Sequence, residues 1–113
     1  MTLRYHLRIN QGETFQLSIP VLNGDDAPIS LSGMTARGQI RTHAADPTVL
    51  YEWTLLNSGI AFDANNVVLK VPATTSSAWT FRTAQYDVEL VDTDGNVTRL
   101  VDGHVIVHPE ITR

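Results

Sequence analysis

The side chains in this 113-residue sequence best suited to chemistry are four histidines, a group of turn aspartates, and arginines set among a few aromatic residues. His104 and His108 stand four apart, a spacing that on a helix would place both imidazoles on one face to chelate an ion such as zinc. The residues around them read as a strand instead. At a rise of ~3.3 Å per residue, four strand positions put the rings roughly 13 Å apart, too far to share an ion. His6 and His43 have no ligand partner nearby in sequence, so all four are expected on solvated or partly packed strand faces.

Asp92-Thr93-Asp94-Gly95 could open a calcium loop, but such a loop runs on through further ligands to a bidentate Glu. Here the chain passes directly into Val97, and a hairpin turn accounts better for the residues. Gly95 accepts positive φ without steric cost, and the aspartates can bond nearby backbone N–H groups. Asp25-Asp26 likewise reads as turn chemistry. There is no cysteine, no Gly-rich phosphate loop, no G-x-S-x-G elbow and no identifiable Ser–His–Asp arrangement. The expectation is a protein that is not an enzyme and has no catalytic residues, cofactor or metal. A small hydrolase or metalloprotein would need a polar cluster converging from distant parts of the chain.

Protein contact is the chemistry that remains. Tyr51 and Trp53 lie on a segment, Val49 to Leu56, that alternates large apolar groups on both faces, so the strand is expected to be buried on both sides or to sit at an interface. Core packing is the leading reading, since a chain with eight aromatic residues needs most of them inside. Trp, Tyr and Arg also dominate interface hot spots. Arg37, Gln39 and Arg41 share the polar face of another strand, either solvated or forming a subunit contact. Candidate interface residues are therefore Arg37, Gln39, Arg41, Tyr51, Trp53, His104 and His108.

The element expected to organise these residues is the hairpin from Phe81 to Pro109, with Tyr86, Val88 and Leu90 alternating before its turn. After the turn, apolar residues return at Val97, Leu100, Val101, Val105 and Val107. Ahead of it, Leu3, Tyr5, Leu7 and Ile9 alternate with Arg4, His6 and Arg8 in the period of one strand with a buried face. Phe15 to Val21 forms the next, with Pro20 marking its end or a sheet edge. Asn23 to Pro28 is a polar turn cluster. In the strand from Met34 to Arg41, the small inward residues Ala36 and Gly38 imply close approach by another backbone or a ring. Ile60 and Phe62 pair through a turn with Val67, Leu69 and Val71. Pro72 to Trp79 is the only plausible helical piece, its hydroxyls suiting caps, and it is expected to anchor Trp79 in the core. Glu110 to Arg113 is a short tail.

Seven or eight short strands with turn signals at roughly 8–12-residue spacing predict a single all-β domain over residues 1–113, a β-sandwich with a small closed barrel as the alternative. A net charge of −4 with eight basic residues argues against a nucleic-acid-binding face. No apolar run approaches the ~20 residues of a membrane-spanning helix, and the N-terminus lacks the pattern of a signal peptide. A soluble protein made in the cytoplasm, with no membrane or nucleic-acid partner, is the expectation.

Three segments, YHLRINQGETFQLSI at Tyr5–Ile19, ISLSGMTARGQIR at Ile29–Arg41 and YDVELVDTDGNVTRLVDGHVIVHPEITR at Tyr86–Arg113, resemble the small virion-associated β-sandwich proteins of tailed bacteriophages. These include the N-terminal immunoglobulin-like domain of baseplate upper proteins. The resemblance implies an immunoglobulin-like antiparallel sandwich and a non-enzymatic building block of a phage particle, made in the host cytoplasm. Its partners would be other virion proteins and copies of itself. In baseplate upper proteins the domain leads into fibre-forming segments, whereas this sequence stops at Arg113, which favours an adaptor at the tail, baseplate or fibre root. The alternatives are a capsid decoration (cement) protein and, from another class, a carbohydrate-binding module, which would need an exposed aromatic platform.

Overall fold

Period-two alternation settles into nine strands and one short helix among residues 3–22, 29–109 and 111, the residues that the computed structural model describes. In chain order the strands are β1 (Leu3–Arg4), β2 (Leu7–Asn10), β3 (Phe15–Pro20), β4 (Thr35–Arg41), β5 (Tyr51–Thr54), β6 (Ile60–Asp63), β7 (Asn66–Val71), β8 (Thr83–Val91) and β9 (Val97–His108). The helix α1 (Ala73–Ser77) lies between β7 and β8. The turn cluster Asn23–Pro28, with Asp25 and Asp26, lies outside the described residues, as do Glu110, Thr112 and Arg113 of the tail.

One sheet of six strands runs β1/β2–β9–β8–β4–β5, the first two strands sharing β9 as their neighbour, and a second of three runs β3–β7–β6. Between them lies one core. Leu7, Ile9, Ile40, Trp53, Val88, Val101 and Val105 enter it from the larger sheet, and Ile19, Ile60, Val67, Leu69 and Val71 from the smaller. The strand order is that of an immunoglobulin-like β-sandwich: β3, β7 and β6 occupy the B, E and D places, and β4, β8 and β9 those of C, F and G. Separate sheets with free outer strands replace the closed-barrel alternative.

The first strand departs from its expected form. β1 and β2 run parallel to β9, with Leu3 opposite Val101 and Leu7 opposite Val105, and the ladder is interrupted at Tyr5 and His6. The expected inward row therefore keeps Leu7 and Ile9 but leaves Leu3 and Tyr5 42% and 53% exposed. The cause lies across the sheet at Gly103. A Cβ there would collide with the Tyr5 carbonyl oxygen, so only a residue without a side chain lets the first strand bend in so closely.

β8 and β9 form the expected hairpin. Gly95 adopts φ +85° in its turn, and the Asp92 carboxylate accepts hydrogen bonds from the backbone N–H groups of Asp94 and Asn96, both at 2.9 Å. The turn does not fix the register of the whole ladder, because a bulge follows. Glu89 faces Arg99 while Val88 faces Val101, leaving Leu100 without a counterpart. The extra residue explains how the adjacent Leu100 and Val101 are both buried.

Two further expectations are corrected. The segment Val49 to Leu56 is not a strand buried on both faces: β5 spans only Tyr51–Thr54 at the sheet's edge, with Trp53 inside and Glu52 exposed. Leu55 and Leu56 belong to the following turn, where nothing covers Leu56. In α1 the helix start carries no side-chain cap. The buried Ser76 hydroxyl accepts instead from the backbone N–H of Gly12 at 3.0 Å, and Gln11 donates to the Trp79 carbonyl at 2.9 Å, tying the helix to the turn before β3. Trp79 is held in the core as expected, and Pro20 closes β3 at the edge of the smaller sheet.

Candidate functional site

Alternation on β4 sends Ala36, Gly38 and Ile40 inward and leaves Arg37, Gln39 and Arg41 on the outer face of the six-stranded sheet. Close packing beneath is real at Gly38, where a Cβ would lie 3.0 Å from the Trp53 ring and 2.9 Å from the Asp87 carbonyl oxygen. With residues of β5, β8 and β9, the outer face forms an open trough of about 520 Å³ that also receives Arg4 and His104.

The polar groups of this trough bond to one another across strands. Arg37 pairs with Glu89 at 3.0 Å, and Gln39 donates to Glu52 at 2.9 Å. Arg41 donates to the Gln39 side-chain oxygen at 2.7 Å and, through its other terminal nitrogen, to the Asp46 carbonyl at 2.7 Å. Arg99 bridges Asp87 at 3.5 Å and Asp102 at 3.6 Å, and Arg4 meets the other Asp102 oxygen at 3.5 Å. Four arginines thus face four carboxylates, and no single sign of charge dominates. Burial pushes the Asp87 carboxyl above its ordinary range, against the opposing pull of Arg99. Pairs this exposed are worth ~0–1 kcal/mol each, so the network sets side-chain positions more than it stabilises the fold.

Tyr51 and Trp53 point the other way. Five rings form a run beneath the sheet. Phe81 lies 4.9 Å from Trp79, Trp79 lies 5.8 Å from Tyr51, Tyr51 meets Trp53 edge-on at 5.6 Å, and Trp53 meets Tyr86 at 5.9 Å. Trp53 is fully buried and Tyr51 half-buried, with burial raising the Tyr51 hydroxyl pKa. Trp53 is therefore a core residue and cannot touch a partner from inside the folded domain. Its indole N–H is buried without a hydrogen-bond partner among the described residues, a cost of ~1–3 kcal/mol that the surrounding ring contacts must offset. The same burial removes Trp53 and Trp79 from any exposed carbohydrate platform.

His104 and His108 are both exposed and lie four positions apart along β9. They do not act together. His108 pairs with Asn10 at the end of β2, while His104 lies against His6 with ring centroids 5.0 Å apart. The His104 backbone N–H donates to Nδ1 of His6 at 3.0 Å, which fixes Nδ1 of His6 as an acceptor. Among the described residues, no three His, Asp or Glu side chains converge on a point that could hold a metal ion, and no helix is long and apolar enough to cross a membrane.

Two features went unread in the sequence. At the interruption of the first strand, the Tyr5 N–H donates to the Asp102 carbonyl at 2.9 Å, and the Tyr5 carbonyl accepts from the buried Tyr86 hydroxyl at 2.6 Å. Gly103 inside a strand is the signal for this close approach. At the opposite edge, Asn57 caps β5. Its side-chain oxygen accepts from the N–H groups of Thr54 (3.1 Å) and Gly59 (2.7 Å), and its amide donates to the Glu52 carbonyl at 2.8 Å. Asn57-Ser58-Gly59 looks like an ordinary turn in sequence, and the hydrogen-bond pattern of a strand edge is not visible there.

No protein-family model matches this chain, and no curated protein sequence matches it.

Proposed function

We propose that this chain is a structural component of a tailed-phage virion, an adaptor at the tail, baseplate or fibre root that works by protein–protein contact and not by catalysis. One observation carries the contact role. The polar side chains of the largest face are bonded to one another, whereas large apolar side chains stand exposed along the edges and turns, among them Leu3, Tyr5, Leu22, Leu55 and Leu56. Apolar groups exposed side by side, as Leu55 is with Leu56 and Leu3 with Leu17 and Pro20, are a liability for an isolated domain and an asset for one that is covered on assembly. The phage setting is supported by the resemblance of the segments Tyr5–Ile19, Ile29–Arg41 and Tyr86–Arg113. The partners in this reading are other virion proteins and further copies of the chain, and the mature location is the particle.

The test is mass spectrometry of purified particles, followed by imaging of particles made without this chain. Its presence in the particle and the loss of tail parts when it is missing are the expected results. Loss of capsid stability with an intact tail would assign it to capsid decoration instead, and its absence from particles would overturn the proposal.

A further inference from the structure

The two edges of the sandwich are complementary. Where β1 and β3 form neighbouring edges of the two sheets, an apolar cleft of about 360 Å³ opens between Leu3, Leu17, Pro20 and Val101, with Ser18 and Arg4 also lining it. At the far edge of both sheets, the turn joining β5 to β6 holds out Leu56, 98% exposed, beside the partly exposed Leu55. One edge has an apolar opening and the other an apolar projection.

Charge follows the same division. The first strand carries Arg4, which Asp102 of β9 pairs, and Arg8, and no acid, while β5 and β6 carry Glu52 and Asp63 and no base. Neither Arg8 nor Asp63 has an ion-pair partner among the described residues. Strand addition is hindered at one point on each edge, because Asn57 occupies the Thr54 N–H and Glu52 carbonyl of β5 and Pro20 at the end of β3 has no N–H to offer. Side-chain insertion remains. The domain measures 44 × 29 × 25 Å, so a side along the strands offers more than the ~800 Å² per partner that a standard interface covers.

We infer that this chain associates head to tail with further copies of itself, Leu55 and Leu56 of one copy seating in the β1–β3 cleft of the next, with the acidic β5–β6 edge against the basic first strand. The inference rests on the reading of the chain as an assembling module and names the surfaces that assemble. A contact between different surfaces leaves a free knob at one end and a free cleft at the other. It therefore grows beyond a dimer, into a ring if the rotation closes.

Sedimentation velocity on the full chain and two surface variants tests this. Leu56→Asp loses the knob and keeps the cleft, and Ser18→Glu spoils the cleft and keeps the knob; both positions are exposed, so the fold is retained. Wild-type protein is expected to form species larger than dimers as concentration rises, and to lose them at high salt as the opposed charges are screened. Each variant alone is expected to remain monomeric. Their equimolar mixture is expected to form a dimer and nothing larger, because only one competent knob–cleft pair exists. Monomeric wild type at high concentration, wild-type assembly by either variant, or a mixture that stays monomeric would each overturn the inference. Detection of the chain in phage particles alongside any of these results would leave the virion role standing and remove only the head-to-tail contact.

Discussion

At the β5 edge the Thr54 N–H and the Glu52 carbonyl are closed by one side chain, Asn57, whereas at the first strand the backbone itself leaves the ladder and is held by residues remote in sequence. The Asn57 cap is local, built within a few residues of the strand it protects. The interruption at Tyr5 and His6 depends on Tyr86, Gly103 and His104, which lie 81 to 98 positions away. Edge strands invite uncontrolled pairing unless something blunts them. One edge is blunted by a substitute hydrogen-bond partner and the other by an irregular backbone. The first leaves only side chains to make contacts, and the second leaves an opening.

Substitutions at each edge separate these two designs. The largest effect is expected for Trp53→Ala, which removes the anchor that holds β5 to the core. A loss of ~3–5 kcal/mol in chemical denaturation follows from the cavity left by a fully buried ring. An effect under 1 kcal/mol would mean that β5 is held by its edge contacts and not from beneath.

Gly103→Ala comes next, toward the upper end of the ~1–3 kcal/mol range of forced overpacking. Its Cβ would meet the Tyr5 backbone, so hydrogen exchange should quicken at Tyr5 and His104 while the amides of β5 keep their protection. Exchange that rises equally at both edges would contradict their independence. For Asn57→Ala the expected cost is ~1.5 kcal/mol, since two N–H groups and a carbonyl lose their partner but can turn to water. Exchange should then quicken at Thr54 and Gly59 and be unchanged at His104. Tyr86→Phe should cost ~1 kcal/mol, one hydrogen bond to the Tyr5 carbonyl, with no change at Thr54.

The smallest expected effect is acid sensitivity in the loop that leads into β5. The Thr42 hydroxyl and then the Thr48 backbone N–H bond the Asp46 carboxylate and hold its pKa below the ordinary value. A lowered folded-state pKa contributes stability that is present above the unfolded value of ~3.9 and is lost as pH falls through the folded one. Carboxyl NMR titration should place the Asp46 midpoint below the ordinary value. The Asp46→Asn variant should lose that part of the acid dependence.

The sandwich itself was legible because period-two alternation and turn residues are local signals. Leu7 and Ile9 on the first strand, Ala36 to Ile40 on β4 and Gly95 in the last turn all behave as their neighbours in sequence imply. Parallel pairing of the first and last strands was not legible, because it joins residues nearly a hundred positions apart and leaves no local pattern. For the same reason the Leu100 bulge and the Tyr5–Tyr86 bond were unread. Val49–Leu56 misled for the opposite reason. Its alternation of large groups is genuine, but Leu55 and Leu56 fall in a turn, and their exposure is a property of the edge and not of the strand. Among the candidate contact residues, Arg37, Gln39 and Arg41 lie together on the sheet face. Trp53 is drawn into the core with Tyr51 half-buried against it, and His104 and His108 are separated along β9.

The absence of cysteine allows the complementary edges to be tested directly. Single variants Leu56→Cys and Ser18→Cys, and the double variant, can be treated with a short bis-maleimide cross-linker and resolved on a denaturing gel. Head-to-tail association predicts a covalent ladder from the double variant, a dimer from the mixed single variants, and little product from either alone. A dimer formed as readily by Leu56→Cys alone, or no product from the double variant, would contradict it.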